Sequence, residues 1–199
     1  MNDEIKKVEN NDRKKAIINW SITIVVCLIL AKLFTTFVIR SVEVDGYSMS
    51  TTLSDGDKAL TDALFYKIGG IERFDIVIVK REKGVLKDNE IVKRVIALPG
   101  ETIEYKDGVL YINDEVVDEE FISDIVKELT GNIEKKTLKD DEYFVMGDNR
   151  ANSTDSRYFG AVNKKEIKGK GLLRFMVCDG RDGTNQCNSR KFIWPSLVK

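Results

Sequence analysis

The sequence predicts a mostly β domain, residues 40–199, behind one N-terminal transmembrane helix, residues 16–39. Three observations lead there. One apolar run, Ala16 to Ile39, has membrane length. Beyond it, β-branched and aromatic residues recur in runs of strand length, punctuated by Gly, Pro and Asn/Asp. No internal repeat, low-complexity tract or hinge divides that remainder, and 42% hydrophobic residues suffice for a core. The formal net charge of -1 implies no basic face, which argues against a nucleic-acid partner.

Residues 1–15 are charged and Asn-rich and read as a disordered cytoplasmic tail. The 24 residues of the apolar run would form a helix of about 36 Å, enough for a hydrocarbon core of ~30 Å. Its one charge, Lys32, lies near the C-terminal end and can snorkel to the interface. No small-residue cleavage site follows it, as a removable leader requires. It has too few polar positions for a core helix with an exposed face, and no polar face for lying flat on a bilayer. Lys6, Lys7, Arg13, Lys14 and Lys15 precede it and Arg40 alone follows directly, so the N-terminus stays cytoplasmic and residues 40–199 are extracytoplasmic.

Strands are expected over Lys58 to Tyr66, Phe74 to Lys80 and Glu90 to Leu98, the last ended by Pro99-Gly100. Thr102 to Asn113 reads as a hairpin turning at Lys106-Asp107-Gly108. Residues 114–140, acidic and lysine-rich with weak helical periodicity, read as a surface excursion. Glu142 to Met146 and Gly171 to Val177 are further strands, followed by a cysteine loop and a short tail. Cys178 and Cys187 flank a polar loop that a disulfide could close, and two free thiols fit equally well. No histidine or further cysteine completes a metal set with them.

The absence of histidine constrains the chemistry. Ser48, in the polar stretch Asp45-Gly46-Tyr47-Ser48-Met49-Ser50-Thr51-Thr52-Leu53, could serve as a nucleophile only with another base, and lysine is the obvious substitute. On a strand over 90–98, Lys93 shares a face with Ile91, Val95 and Ala97, while Arg94 lies opposite with Val92 and Ile96. Burial there would disfavour the ammonium; lowering a lysine from ~10.4 to about 8 costs about 3.3 kcal/mol. An edge lysine reaching solvent fits the same periodicity. A third stretch, Gly147 to Gly160 (GDNRANSTDSRYFG), is dense in small polar and ionic groups and reads equally as a long turn held by an Asp155–Arg157 pair.

Together GYSMSTTL, KRVIALPGE and GDNRANSTDSRYFG, in that order behind an anchor, resemble the bacterial type I signal peptidases over about residues 14–175. The resemblance implies a signal-peptidase-like β fold with its site near the membrane surface. It also implies a membrane-anchored serine endopeptidase that cleaves signal peptides from exported preproteins and needs no cofactor or metal. It makes Ser48 the nucleophile, Lys93 the general base, Ser153 a hydrogen-bond partner orienting the amine, and Asp155–Arg157 a supporting ion pair. Asp148 would brace the same loop, and Met49 would floor the substrate groove. Substrates would carry small residues at -3 and -1, bound extended along a strand edge. Two departures stand out. Thr51 occupies a position where the family usually has proline, and Gly46 one where some members carry an oxyanion-donating serine. A self-cleaving serine–lysine repressor would lack the anchor and carry a helix-turn-helix, and a tethered binding module would use the three blocks merely as turns.

Overall fold

The computed structural model describes residues 2–50, 52–81, 90–180 and 187–198. The chain divides into two compact units, Met1–Ile39 and Arg40–Lys199.

The first unit is the helix α1, Asn2–Phe37. Its stretch Arg13–Thr35 is long and apolar enough to cross a membrane, with every side chain exposed. The hydroxyls of Ser21, Thr23 and Thr35 donate to the carbonyls of Ile17, Asn19 and Ala31, at 2.9, 2.9 and 3.1 Å. These three hydroxyls are thereby satisfied within the helix, as a hydrocarbon environment demands. Residues 2–15, expected to be disordered, continue this helix. Once a long apolar segment has paid the nucleation cost, each added Lys or Glu residue extends it cheaply.

The second unit is built on two antiparallel sheets. Its strands are β1 (Ile39–Glu43), β2 (Lys58–Asp62), β3 (Ile76–Lys80), β4 (Glu90–Ala97), β5 (Thr102–Lys106), β6 (Val109–Ile112), β7 (Glu115–Val117), β8 (Ile133–Thr137), β9 (Glu142–Met146), β10 (Val162–Asn163), β11 (Ile167–Cys178) and β12 (Arg190–Val198). The large sheet runs β1-β2-β11-β3-β4-β9-β10, with β12 also paired to β11; the small one runs β7-β6-β5-β8. The mostly β class stands.

Several elements differ from expectation. The strand from Lys58 ends at Asp62, whose Oδ1 accepts the Leu64 and Phe65 amides at 2.9 and 2.7 Å and turns the chain into α2, Tyr66–Gly69. Residues 114–140 are no mere excursion: they supply β7, the short helix α3 (Asp124–Glu128) and β8. The charges that disguised β8 lie on exposed positions of a strand hydrogen-bonded to β5. The last strand begins earlier, at Ile167, tolerating Gly169 and Gly171 through register shifts, and the tail forms β12. Cys178 and Cys187 are disulfide-bonded, joining the end of β11 to the approach of β12; residues 181–186 of that loop lie outside the described residues.

The sequence Ile76-Val77-Ile78-Val79 explains the centre of the large sheet. β-branched residues fill both faces, and both are covered. Val77 and Val79 join Val95, Tyr143, Val145 and Ile167 in one core. Ile76 and Ile78 join Val44, Met49, Leu53 and Ala59 in a second. A third core, with Ile96, Ala97, Ile103, Tyr105 and Phe144, binds the two sheets together. Strand β4 therefore lies among all three cores.

Candidate active site

Ser48 sits in the β1–β2 connection, residues 44–57, and is half-buried. The ends of that connection are tied together: Val44 N donates to Asp57 O at 2.9 Å, and Gly56 N to Val44 O at 2.8 Å. Two aspartates that sequence reasoning passed over hold its interior. Asp55 Oδ1 accepts the Gly46 amide at 2.8 Å. The fully buried Asp57 accepts Ser54 N and Cys178 N, each at 3.0 Å, which links the turn to the disulfide end of β11. Gly46 has φ +90°, a left-handed conformation that a serine would adopt only under strain. Beyond Ser48 the chain coils tightly, with Leu53 N on Met49 O at 2.7 Å. Met49 is 1% exposed and packs in the core under the turn. Thr51 lies outside the described residues.

Lys93 is on β4, its register partner on β3 being Val77. The expected face is shared with Ile91 and Val95, but Ala97 departs from it. A register shift between Val95 and Ala97 transfers Ala97 to the core of Ile96. Lys93 is 3% exposed, and its Nζ donates to Ser48 Oγ at 2.6 Å. Burial pushes the amine down to about 8; the charges of Asp155 and Asp148 oppose the shift, and Arg157 adds to it. The edge-lysine alternative is excluded by this burial.

The third stretch starts where β9 ends. Gly147 has no room for a side chain, since a Cβ there would lie 2.3 Å from Ser153 Oγ and 2.4 Å from Ser48 O. Asn149 clasps the serine turn, its amide donating to Ser48 O and its Nδ2 to Tyr47 O, both at 3.0 Å. Asp155 and Arg157 are paired through two bonds, Nε to Oδ1 and Nη2 to Oδ2, each 2.8 Å. Burial alone would raise the Asp155 carboxyl; Arg157, with help from Ser153 Oγ and the Gly147 amide, holds it below the usual carboxylate value. Asp148 is buried and bound in bidentate fashion by Arg94, at 2.8 and 2.6 Å, and it also accepts from Thr52 Oγ1. The Arg94 guanidinium in turn lies 4.1 Å from the centre of the Phe121 ring. Arg94, which the strand pattern left without a task, is thus the anchor of Asp148.

Ser153 does not bond Lys93. Its Oγ is buried near the Asp155 carboxyl and forms no well-directed hydrogen bond among the described residues. A cleft of about 600 Å³ opens on the opposite side of β4 between Phe74, Ile76, Arg94, Phe121 and Leu197, and includes neither Ser48 nor Lys93. Among the described residues no cluster of His, Cys, Asp or Glu is arranged to hold a metal ion.

A half-buried hydroxyl against a buried, weakly basic amine is an arrangement for nucleophilic attack, and known proteins share its sequence context. A model of the family "Signal peptidase, peptidase S26" matches residues 17–176. Signal peptidase I S of Bacillus subtilis (strain 168) is 38% identical over 188 residues, covering 90% of this chain and all of that protein. Signal peptidase IB of Staphylococcus aureus (strain COL) is 33% identical over 177 residues, covering 81% of this chain and 91% of its own length. A crystal structure of a signal peptidase I from Enterococcus faecalis V583 aligns with a TM-score of 0.46 and 33% identity, covering 51% of this chain and 96% of that one. On the family match and the two sequence relatives, the chain belongs to the signal peptidases of family S26.

Proposed function

We propose that this chain is a membrane-anchored peptidase in which Ser48 is the nucleophile and Lys93 the general base for cleavage of signal peptides. Membership of the signal peptidase I family makes it a serine endopeptidase acting on secretory preproteins. The observation that carries the residue assignment is the 2.6 Å approach of Lys93 Nζ to Ser48 Oγ, by an amine whose pKa burial has lowered to about 8.

The neutral Lys93 amine takes the Oγ proton as Ser48 attacks the scissile carbonyl. The Ser48 N–H, which has no hydrogen-bond partner among the described residues, faces the developing oxyanion. The Lys93 ammonium then gives its proton to the departing amine, which is the new N-terminus of the mature protein. The signal peptide stays esterified to Ser48. Water enters, Lys93 accepts its proton, and the hydroxide attacks the ester carbon. The signal peptide leaves with a free carboxylate, and the proton returns to Ser48 Oγ. Asp155–Arg157 and Asp148–Arg94 hold the surrounding loop in place. The substrate class is an extended segment with small residues at -3 and -1, and α1 holds the enzyme in the lipid bilayer, N-terminus inside.

The test is covalent. Full-length protein in proteoliposomes is incubated with a penem-type inhibitor and digested for mass spectrometry. An acyl adduct on Ser48, with loss of preprotein cleavage in both Ser48→Ala and Lys93→Ala, is the expected result. Turnover by Ser48→Ala would overturn the assignment.

A further inference from the structure

The cleft beside Arg94 is unused by that mechanism, but most of its charged side chains are already paired: Lys170 with Asp75, Arg73 with Glu101 and Arg94 with Asp148. A buried ionic knot around Arg150 is also unused.

Arg150 and Glu119 are both almost completely buried, at 2% and 1% exposure. Arg150 Nη2 donates to Glu119 Oε1, and Nη1 to Glu119 Oε2 at 3.2 Å. Nη1 also meets Thr130 Oγ1 at 2.9 Å and the Tyr105 hydroxyl at 3.4 Å. The Tyr105 hydroxyl itself donates to Glu119 Oε2 at 2.9 Å. Glu119 lies between β7 and α3, Thr130 follows α3, and Tyr105 is on β5, so these acceptors all come from the small-sheet region. The remaining Arg150 bond points the other way, from Nε to the Gly147 carbonyl at 3.2 Å.

A buried ion pair is a poor device for stability alone. Desolvating both charges offsets much of their attraction, and an apolar filling of equal volume often does as well. What such a pair supplies is direction: a bidentate guanidinium–carboxylate contact fixes the plane of the guanidinium and so the aim of Nε. The group at which Nε aims is the carbonyl of Gly147, a residue closely enclosed by its neighbours. Gly147 touches Ser153 and the Ser48 carbonyl with no space for a methyl group, and its amide donates to Asp155 Oδ2 at 3.1 Å. Two residues on, the Asn149 amide holds the Ser48 carbonyl. Arg157 backs the same arrangement, donating to the carbonyls of Arg150 at 2.9 Å and Thr130 at 3.2 Å.

We propose that Glu119 is a positioning residue for the Ser48–Lys93 reaction, acting through Arg150 to fix the Gly147 carbonyl and hence the seat of Ser48. The inference rests on the Ser48–Lys93 reading. The small sheet thereby takes part in aligning the nucleophile, although none of its residues reaches the serine.

The test compares full-length variants in proteoliposomes, with turnover expressed per active site titrated by an acylating inhibitor. Glu119→Gln keeps the volume but turns an amide NH₂ towards the guanidinium. It should lower kcat on the order of 10- to 100-fold, the scale of a small misalignment, with KM within about twofold of wild type. Glu119→Asp, which restores the charge, should recover part of that loss. If Glu119→Gln fails to fold, Thr130→Val removes one acceptor of Arg150 at nearly constant shape and should lower kcat several-fold, again with KM unchanged. Wild-type kcat per titrated site in whichever variant folds, even with a lower melting temperature, overturns the positioning role. Ser48→Ala is run beside them. If it turns over, the nucleophile assignment falls and takes this inference with it; if it is dead while Glu119→Gln is fully active, only the role of Glu119 falls.

Discussion

At the scale of one residue, the role proposed for Lys93 sets function against stability. The residue is 3% exposed, and its pKa falls from 10.5 to about 8 because burial penalises the ammonium more than Asp155 and Asp148 restore it. Below pH 8 the folded enzyme holds a buried charge at a cost of about 3 kcal/mol. Between about 8 and 10.5 the unfolded chain binds more protons at this residue than the folded one, so stability gains from rising pH across that window. Lys93→Met should therefore be inactive yet more stable at pH 7, by on the order of 1–3 kcal/mol, and its advantage should fade as pH climbs towards 10.5. Thermal unfolding of both proteins from pH 7 to 10 measures this, and a less stable Lys93→Met at pH 7 would show that the lysine is not a burden to the fold. The same shift predicts that kcat/KM rises through a pKa near 8 and that Lys93→Arg, which cannot lose its proton in this range, is dead across the profile.

At the scale of elements, the candidate site is made where the Ser48 turn meets β4 and the loop that follows β9. Asp155→Ala would remove the acceptor of the Gly147 amide and leave Arg157 with only two backbone carbonyls. Breaking a buried pair by deleting one partner costs about 3 kcal/mol or more, so melting should fall by roughly 6–12 °C in a domain of this size, with turnover falling as well. Unchanged melting and turnover would remove Asp155 from the framework. In the wild type the Asp155 carboxyl sits below its ordinary value, so its contribution is full above that value and is lost as pH falls below it. How much of this was legible depended on where each instruction is written. The strand carrying Lys93 announced itself by β-branched periodicity, and the Asp155–Arg157 pair by proximity in sequence. Arg94–Asp148 and Arg150–Glu119 join residues far apart in the chain, 54 and 31 positions, and no local pattern specifies them. Glu119 was further hidden within an acidic run whose other members are mostly exposed. The same long-range logic made β7, β8 and β12 hard to see, since pairing with a neighbour and not their own hydropathy makes them strands.

At the scale of the whole molecule, the question is which side of the membrane receives Arg40–Lys199. Arg13–Thr35 is the one span of sufficient length and apolarity among the described residues, so the units on either side of it face opposite compartments if it crosses. The distribution of cations decides the direction. Lys6, Lys7, Arg13, Lys14 and Lys15 precede the span, and Arg40 alone follows it directly. Each Lys or Arg resists translocation while acidic residues count for little, so the orientation we propose has the amino terminus in the cytoplasm. That orientation also suits the chemistry, because a signal peptide is removed only after the chain behind it has crossed. Protease added to intact spheroplasts should therefore digest residues 40–199 and spare a tag fused before Met1, which becomes accessible only after lysis. Neutralising the five leading cations should increase the fraction of chains in which the tag is cut from outside. Complete protection of residues 40–199 in spheroplasts, with digestion after lysis, would mean that the catalytic unit stays inside and that the charge asymmetry does not set the topology of this protein.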